Sequence, residues 1–148
     1  MKIKASDYIL NYLQNIGIEI CFCVTGGAAA HLFESLSKTK IKYICNYHEQ
    51  ACAMSAEGYT RIKNKPALVL VTNGPGSSNL ATGIAAAFQD SIPMIVISGQ
   101  VPTKQTIESS GAKLRQFGVQ ELDCVSIYKP ITKFSYQIRN AKEVKEVI

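Results

Sequence analysis

The stretch PALVLVTNGPGSSNLATGIAAAFQDSIPMIVISGQ, Pro66–Gln100, decides the fold. It holds two apolar runs, ALVLVT and PMIVIS, with SSNLATGIAAAFQD between them. Neither run alternates apolar with polar, so each reads as a strand buried on both faces. The segment between them is rich in small residues and long enough to be a crossover helix. A strand, a helix and a second strand in that order imply parallel strands.

The same rhythm continues outward. Toward the amino end, SDYILNYLQNIG predicts a helix that starts at Ser6 and Asp7, carries Ile9, Leu10, Leu13 and Ile16 on its apolar stripe, and stops at Gly17. IEICFCV predicts a strand, Thr25-Gly26-Gly27 a turn, and AAAHLFESLSK a second helix. IKYIC predicts a strand and EQACAMSAEGYTRIK an alanine-dense helix. Toward the carboxyl end, GQVPTKQTIESSGAKLRQFG has no clear period, and a loop that long is usually functional or mobile. VQELDCVSIYK predicts a short helix, ITKFSYQIR has strand character, and NAKEVKEVI reads as the first turns of a helix without a stop signal. The expected class is α/β, an open and mainly parallel sheet with helices on both faces. Residues 1–148 are expected to be one domain, the first part of a longer chain.

Composition excludes several classes. Hydrophobic residues make up 47% of the 148 and charged residues 18%, which is globular rather than disordered. No apolar run approaches the ~18 residues that cross a bilayer, and the polar residues after MKIK argue against a signal peptide. The expected location is the cytoplasm, with no membrane partner. The net charge of +5 is scattered, with a mild excess after Lys113, whereas a nucleic-acid binder clusters it. Cysteines number five, with no CxxC pair, which predicts reduced thiols. Cys21 and Cys23 fall on one strand face as small core residues. HEQAC lacks the second His of a zincin, and no metal ligand set is expected. His31 and His48 belong to no recognisable triad and read as surface or packing residues.

In parallel sheets, ligands sit beyond the carboxyl ends of the strands. Those ends carry Thr25–Gly27, Asn46–Glu49, Thr72–Asn79 and Ser98–Gln100. Glu49 therefore shares a rim with two glycine turns. Its bland role is a first-turn acid complementing the helix dipole, worth about 0.3–1 kcal/mol. A dinucleotide site is a rival reading of VTNGPGSSN, but Asn79 stands where the third Gly or Ala is needed. The acid that should follow the next strand is also missing, and Pro75 removes one N–H from the turn.

These residues resemble the pyrimidine-binding domain of thiamine-diphosphate enzymes of the acetolactate synthase and pyruvate oxidase type. The matching blocks are FCVTGGAAAHLFESL, YHEQACAMSAEGYTR, LVLVTNGPGSSNLATGIAAAFQDSIPMIVISGQ, and GVQELD followed by PITKFSY. They cover nearly the whole chain in order. VTGGAAAHL and RQFGVQELD look most like acetolactate-synthase-like proteins linked to surface-sugar biosynthesis.

The resemblance implies roles residue by residue. Glu49 becomes the carboxyl group on the cofactor's pyrimidine nitrogen. There it favours the imino form of the amino group that deprotonates the thiazolium carbon. Thr25, Gly26, Gly27, Thr72, Pro75 and Asn79 line the pyrimidine, although Asn79 also reads as an ordinary first-turn polar residue. Gln120 faces the substrate side, which makes Glu49 and Gln120 the catalytic candidates. The chain departs from the family at Thr25, where many members have Pro, at Val119, where Phe is usual, and at Phe134, where His is common. Substrate choice is therefore expected to differ from that of ordinary acetolactate synthases.

Nothing in the chain resembles the family's GDG module, so Mg²⁺ and the diphosphate are expected from another domain or chain. The implied partners are a 2-oxo acid such as pyruvate and the diphosphate-binding domain of a second subunit in a homodimer or homotetramer. The alanine-rich helices 49–63 and 77–89 suit that interface, or ordinary helix-on-sheet packing. FAD occurs in the family, but nothing here indicates it. The competing readings are a non-catalytic fragment that folds or dimerises, and a nucleotide-binding α/β module.

Overall fold

β3 (Ala67–Val71) is buried at every residue, and the rest of the molecule is arranged around it. The computed structural model describes residues 2–148. Its sheet has four strands in the order β2-β1-β3-β4, all parallel, with β1 at Ile20–Cys23, β2 at Lys42–Cys45 and β4 at Met94–Ser98. β3 pairs with β1 on one side and with β4 on the other. A strand that is central and covered on both faces has no use for polar side chains, hence the unbroken ALVLV.

The pleat divides the core in two. Leu68 and Leu70 face α1 (Ala5–Asn15) and α2 (Ala30–Leu36), together with Cys21 and Cys23 of β1. Ala67, Val69 and Val71 face α3 (Glu49–Lys63) and α5 (Ala81–Gln89), together with Phe22. Helices therefore cover both faces. α1 and α2 are tied by the Ser35 hydroxyl, which lies 2.8 Å from Ser6 Oγ and donates to Asp7 Oδ1 at 2.6 Å. Ile9, Leu10 and Leu13 are buried as expected, but Ile16 is exposed. It lies just past the last helical turn, where Gly17 at φ 96° redirects the chain.

Two expectations are corrected. The helix expected over 77–90 is split into α4 (Pro75–Ser78) and α5, and the break at Asn79 and Leu80 is a tightened turn in which Leu80 N–H donates to the Ser77 carbonyl. The strand expected in ITKFSYQIR does not form among the described residues. Phe134 and Tyr136 stack on each other instead, their ring centroids 6.1 Å apart, and both stay exposed. Alternating apolar residues make a strand only beside a sheet edge, and these two rings satisfy each other. The long loop after β4 carries a short helix, α6 (Ile107–Ser110), capped by Thr106 Oγ1 and ended by Gly111 at φ 65°. α7 (Cys124–Tyr128) and α8 (Val144–Val147) follow. No helix among the described residues is long and apolar enough to cross a membrane.

α3 and α5 pack with almost no gap. A Cβ on Gly83 would lie 2.5 Å from Ala53 Cβ and 3.2 Å from the backbone around it. Gly83→Ala is therefore expected to cost stability in the upper half of about 1–3 kcal/mol, more than helix propensity returns. Gly58→Ala, in open space on α3, is expected to stabilise by up to about 1 kcal/mol. Urea denaturation of the two variants should move in opposite directions.

Candidate functional site

Thr72 sits at the carboxyl end of β3 with a glycine pressed against it from each side. A Cβ on Gly26 would fall 2.5 Å from Thr72 Cβ, and one on Gly76 would fall 2.6 Å from Thr72 Cγ2. Only glycine lets the turn after β1 and the turn after β3 close on that side chain. Gly27, by contrast, has nothing within 4 Å of where its Cβ would be, so its face of the turn is open.

Glu49 reaches the same place from α3. His48 caps this helix, its Nδ1 accepting from Gln50 N–H at 3.1 Å, and Glu49 is the first helical residue. The loop before it is tied to β1 by Asn46 N–H, which donates to the Cys23 carbonyl at 2.8 Å. The Glu49 carboxylate is half-buried. Its Oε2 accepts from Asn79 Nδ2 at 2.9 Å, and its Oε1 lies 3.5 Å from where a Gly76 Cβ would stand. Among the described residues nothing donates to Oε1. The split between α4 and α5 is what places Asn79 for this bond. His48, expected as a surface or packing residue, is exposed and also caps the helix.

The turn Asn73–Gly76 is filled from the other side by Gln120. Gly74 has φ 56°, and a Cβ there would lie 2.5 Å from the Gln120 carbonyl oxygen. Asn73, buried, donates to the Val119 carbonyl at 2.9 Å. Gln120 itself has φ 60°, a left-handed conformation that is uncommon outside glycine and recurs at functional sites. Pro75 is exposed as the first residue of α4, and Thr25 is exposed beyond β1. The structure thus gathers Gly26, Thr72, Gly76, Glu49 and Asn79 in one set of contacts, and joins Gln120 to it through Gly74. It shows no contact that assigns a part to Thr25 or Pro75.

The glycine turn does not fit a dinucleotide. The space that a Gly leaves for a pyrophosphate is taken at Gly74 by protein backbone, and at Gly76 by Thr72 and Glu49. A carboxylate there would repel phosphate. The residues do fit an aminopyrimidine ring, which needs a carboxyl oxygen with a free lone pair or proton, a fixed carboxyl plane, and an open approach such as the one Gly27 leaves.

A parallel α/β sheet that collects two glycine turns and one oriented carboxylate at its carboxyl rim belongs to the class that binds a small organic ligand at the strand ends. The sequence pattern described as thiamine pyrophosphate enzyme, N-terminal TPP binding domain, matches residues 3–127, and the chain belongs to that family. It is 36% identical over 143 residues to a probable acetolactate synthase large subunit of Methanocaldococcus jannaschii, covering 97% of this chain and 23% of the relative. It is 37% identical over 146 residues to the acetolactate synthase large subunit of Lactococcus lactis, covering 98% and 24%. It is 35% identical over 148 residues to the acetolactate synthase isozyme 1 large subunit of Escherichia coli, covering 99% and 25%. The chain spans about a quarter of the length of these curated relatives.

Sequence reasoning missed Glu121, next to Gln120. Its carboxylate accepts from Ile107 N–H at 2.6 Å, Phe117 N–H at 3.1 Å and Gly118 N–H at 3.2 Å, and so stitches the long loop together. No local pattern marks it, because its partners lie up to 14 residues away. Burial pushes its carboxyl up, but the three backbone donors outweigh that and hold it below the usual glutamate range. A folded value below the unfolded one means the ordering is present above the ordinary pKa of about 4.3 and is lost as pH falls through the lowered value. Hydrogen exchange should show Ile107, Phe117 and Gly118 protected at neutral pH and unprotected in acid. Glu121→Ala should remove the protection at neutral pH.

Proposed function

We propose that this chain is the pyrimidine-binding part of a thiamine-diphosphate enzyme that decarboxylates a 2-oxo acid such as pyruvate and passes the acyl-equivalent unit to a second carbonyl. The observation that carries it is the Glu49 carboxylate, with one oxygen held by Asn79 and the other left open beside Gly76. The relatives named acetolactate synthase support the substrate class and the lyase or transferase chemistry.

Bound thiamine diphosphate supplies the electron sink that makes loss of carbon dioxide feasible. The chain's own residues do the rest. Glu49 holds or moves a proton at Oε1 toward the pyrimidine nitrogen. Asn79 fixes the plane of the carboxyl group, so the proton moves along one direction. Gly27, open on its face, gives the ring room, while Gly26 and Gly76 close on Thr72 as the buttress behind it and Thr25 and Pro75 stand at the margins. Gln120, held by Asn73 and Gly74, faces the substrate. Phe134 and Val119, which stand where relatives of this type commonly carry His and Phe, are proposed to shift substrate choice. The diphosphate and Mg²⁺ are assigned to a domain outside residues 1–148, contributed by a second subunit of a homodimer or homotetramer in the cytoplasm. Residues 1–148 alone are then inactive.

In the full-length enzyme, Glu49→Gln should lower thiamine-diphosphate-dependent decarboxylation of pyruvate by about 10²–10⁴-fold, because it removes the proton-transferring group and keeps the shape. Carbon dioxide release measured on the folded variant decides it. An unchanged rate would count against the role of Glu49.

A further inference from the structure

Two thiols lie side by side where β1 and β2 end. Cys23 is the last residue of β1 and Cys45 the last of β2, and they are register partners in the parallel pair. Their sulfurs are 3.7 Å apart. Cys23 is buried, whereas Cys45 is exposed on the edge strand. Neighbouring parallel strands run about 4.8 Å apart, inside the separation of about 4.4–6.8 Å that a disulfide tolerates. Both sulfurs are free thiols. Hydrogen bonding from Cys21 holds the Cys23 thiol below the usual thiol range against the effect of burial, the bond to Cys23 and burial raise the Cys45 thiol, and burial pushes Cys52 up to about 12.

We propose that Cys23 and Cys45 form a reversible disulfide that clamps together the two loops of the carboxyl rim. Thr25–Gly27 begins two residues after Cys23, and Glu49 lies four residues after Cys45. The chemistry is thiol–disulfide exchange with a low-molecular-weight disulfide such as oxidised glutathione. The exposed Cys45 thiolate attacks one glutathione sulfur and releases the first glutathione thiolate, which takes up the proton that Cys45 lost. Cys23 then attacks Cys45 Sγ. The Cys23–Cys45 bond forms, and the second glutathione leaves with the proton from Cys23. Two protein thiols are oxidised by two electrons, and one external disulfide is reduced to two thiols. The consequence for Glu49 rests on the function proposed above, but the disulfide does not.

The test treats the full chain with oxidised glutathione under native conditions and maps the products by mass spectrometry of a non-reduced digest. A linked Cys23–Cys45 peptide that dithiothreitol reverses, with Cys21 and Cys52 still thiols, is expected. A glutathione adduct that persists on Cys45 with Cys23 free, or no modification, overturns the proposal. Hydrogen exchange at residues 24–27 and 46–50 should then slow several-fold on oxidation. It should not respond in Cys45→Ser, an exposed site where folding is not at stake. Unchanged exchange in the linked protein overturns the clamp. Neither readout uses thiamine diphosphate, so failure here and failure of the functional reading are separate results.

Discussion

The steric closure of Gly26 and Gly76 on Thr72 is the constraint on which the site depends. It brings the end of β1 against the end of β3, and so fixes where the two rim turns stand. Glu49 is then defined relative to Gly76, and Asn79 completes its hold from the split helix. A larger residue at either glycine would push Thr72 away from β3 and displace the carboxylate with it. The chemistry proposed for Glu49 therefore depends on side chains that are missing as much as on those present.

Gln120 shows the same economy from the other side. Its left-handed backbone puts its carbonyl where a Gly74 Cβ would be, and Asn73 ties the two segments. A strained conformation persists only where its surroundings over-determine it. Here those surroundings are the turn itself and the three backbone bonds that Glu121 accepts. The long aperiodic loop is thus organised from its far end, by an acid adjacent to the residue it positions.

What was legible in the sequence was whatever depends on burial or on local chemistry. β3 and β4 were readable as apolar runs, although β4, expected to be buried on both faces, is an edge strand only partly buried at every residue, and α3 was placed at Glu49–Lys63 because its start and its small-residue face are local signals. The rim was readable because a parallel sheet sends all its carboxyl ends one way. The break at Asn79–Leu80 was not, since nothing in SSNLATG marks a helix that tightens for the sake of a carboxylate. The strand expected in ITKFSYQIR failed for the opposite reason: its period was right, but a strand needs an edge to join. The Asn79–Glu49 bond joins residues 30 apart and could be suspected only from the resemblance.

The sheet is uneven, and that bears on how the site is held. β3 is buried throughout, whereas every residue of β2 is exposed. An exposed edge strand is drawn from the least stable part of a fold. Glu49 follows that strand after only three intervening residues, so strand burial cannot be what fixes it. Its position comes instead from three local ties: the Asn46 amide on the Cys23 carbonyl, the His48 cap, and the Asn79 amide. One of these is local to the helix start, one ties the loop to the end of β1, and one crosses to Asn79 beyond the turn after β3. A carboxyl group that must be placed closely and still accommodate an incoming ring is well served by this arrangement, because the rigid element is the neighbour across the rim and not the strand that leads into it.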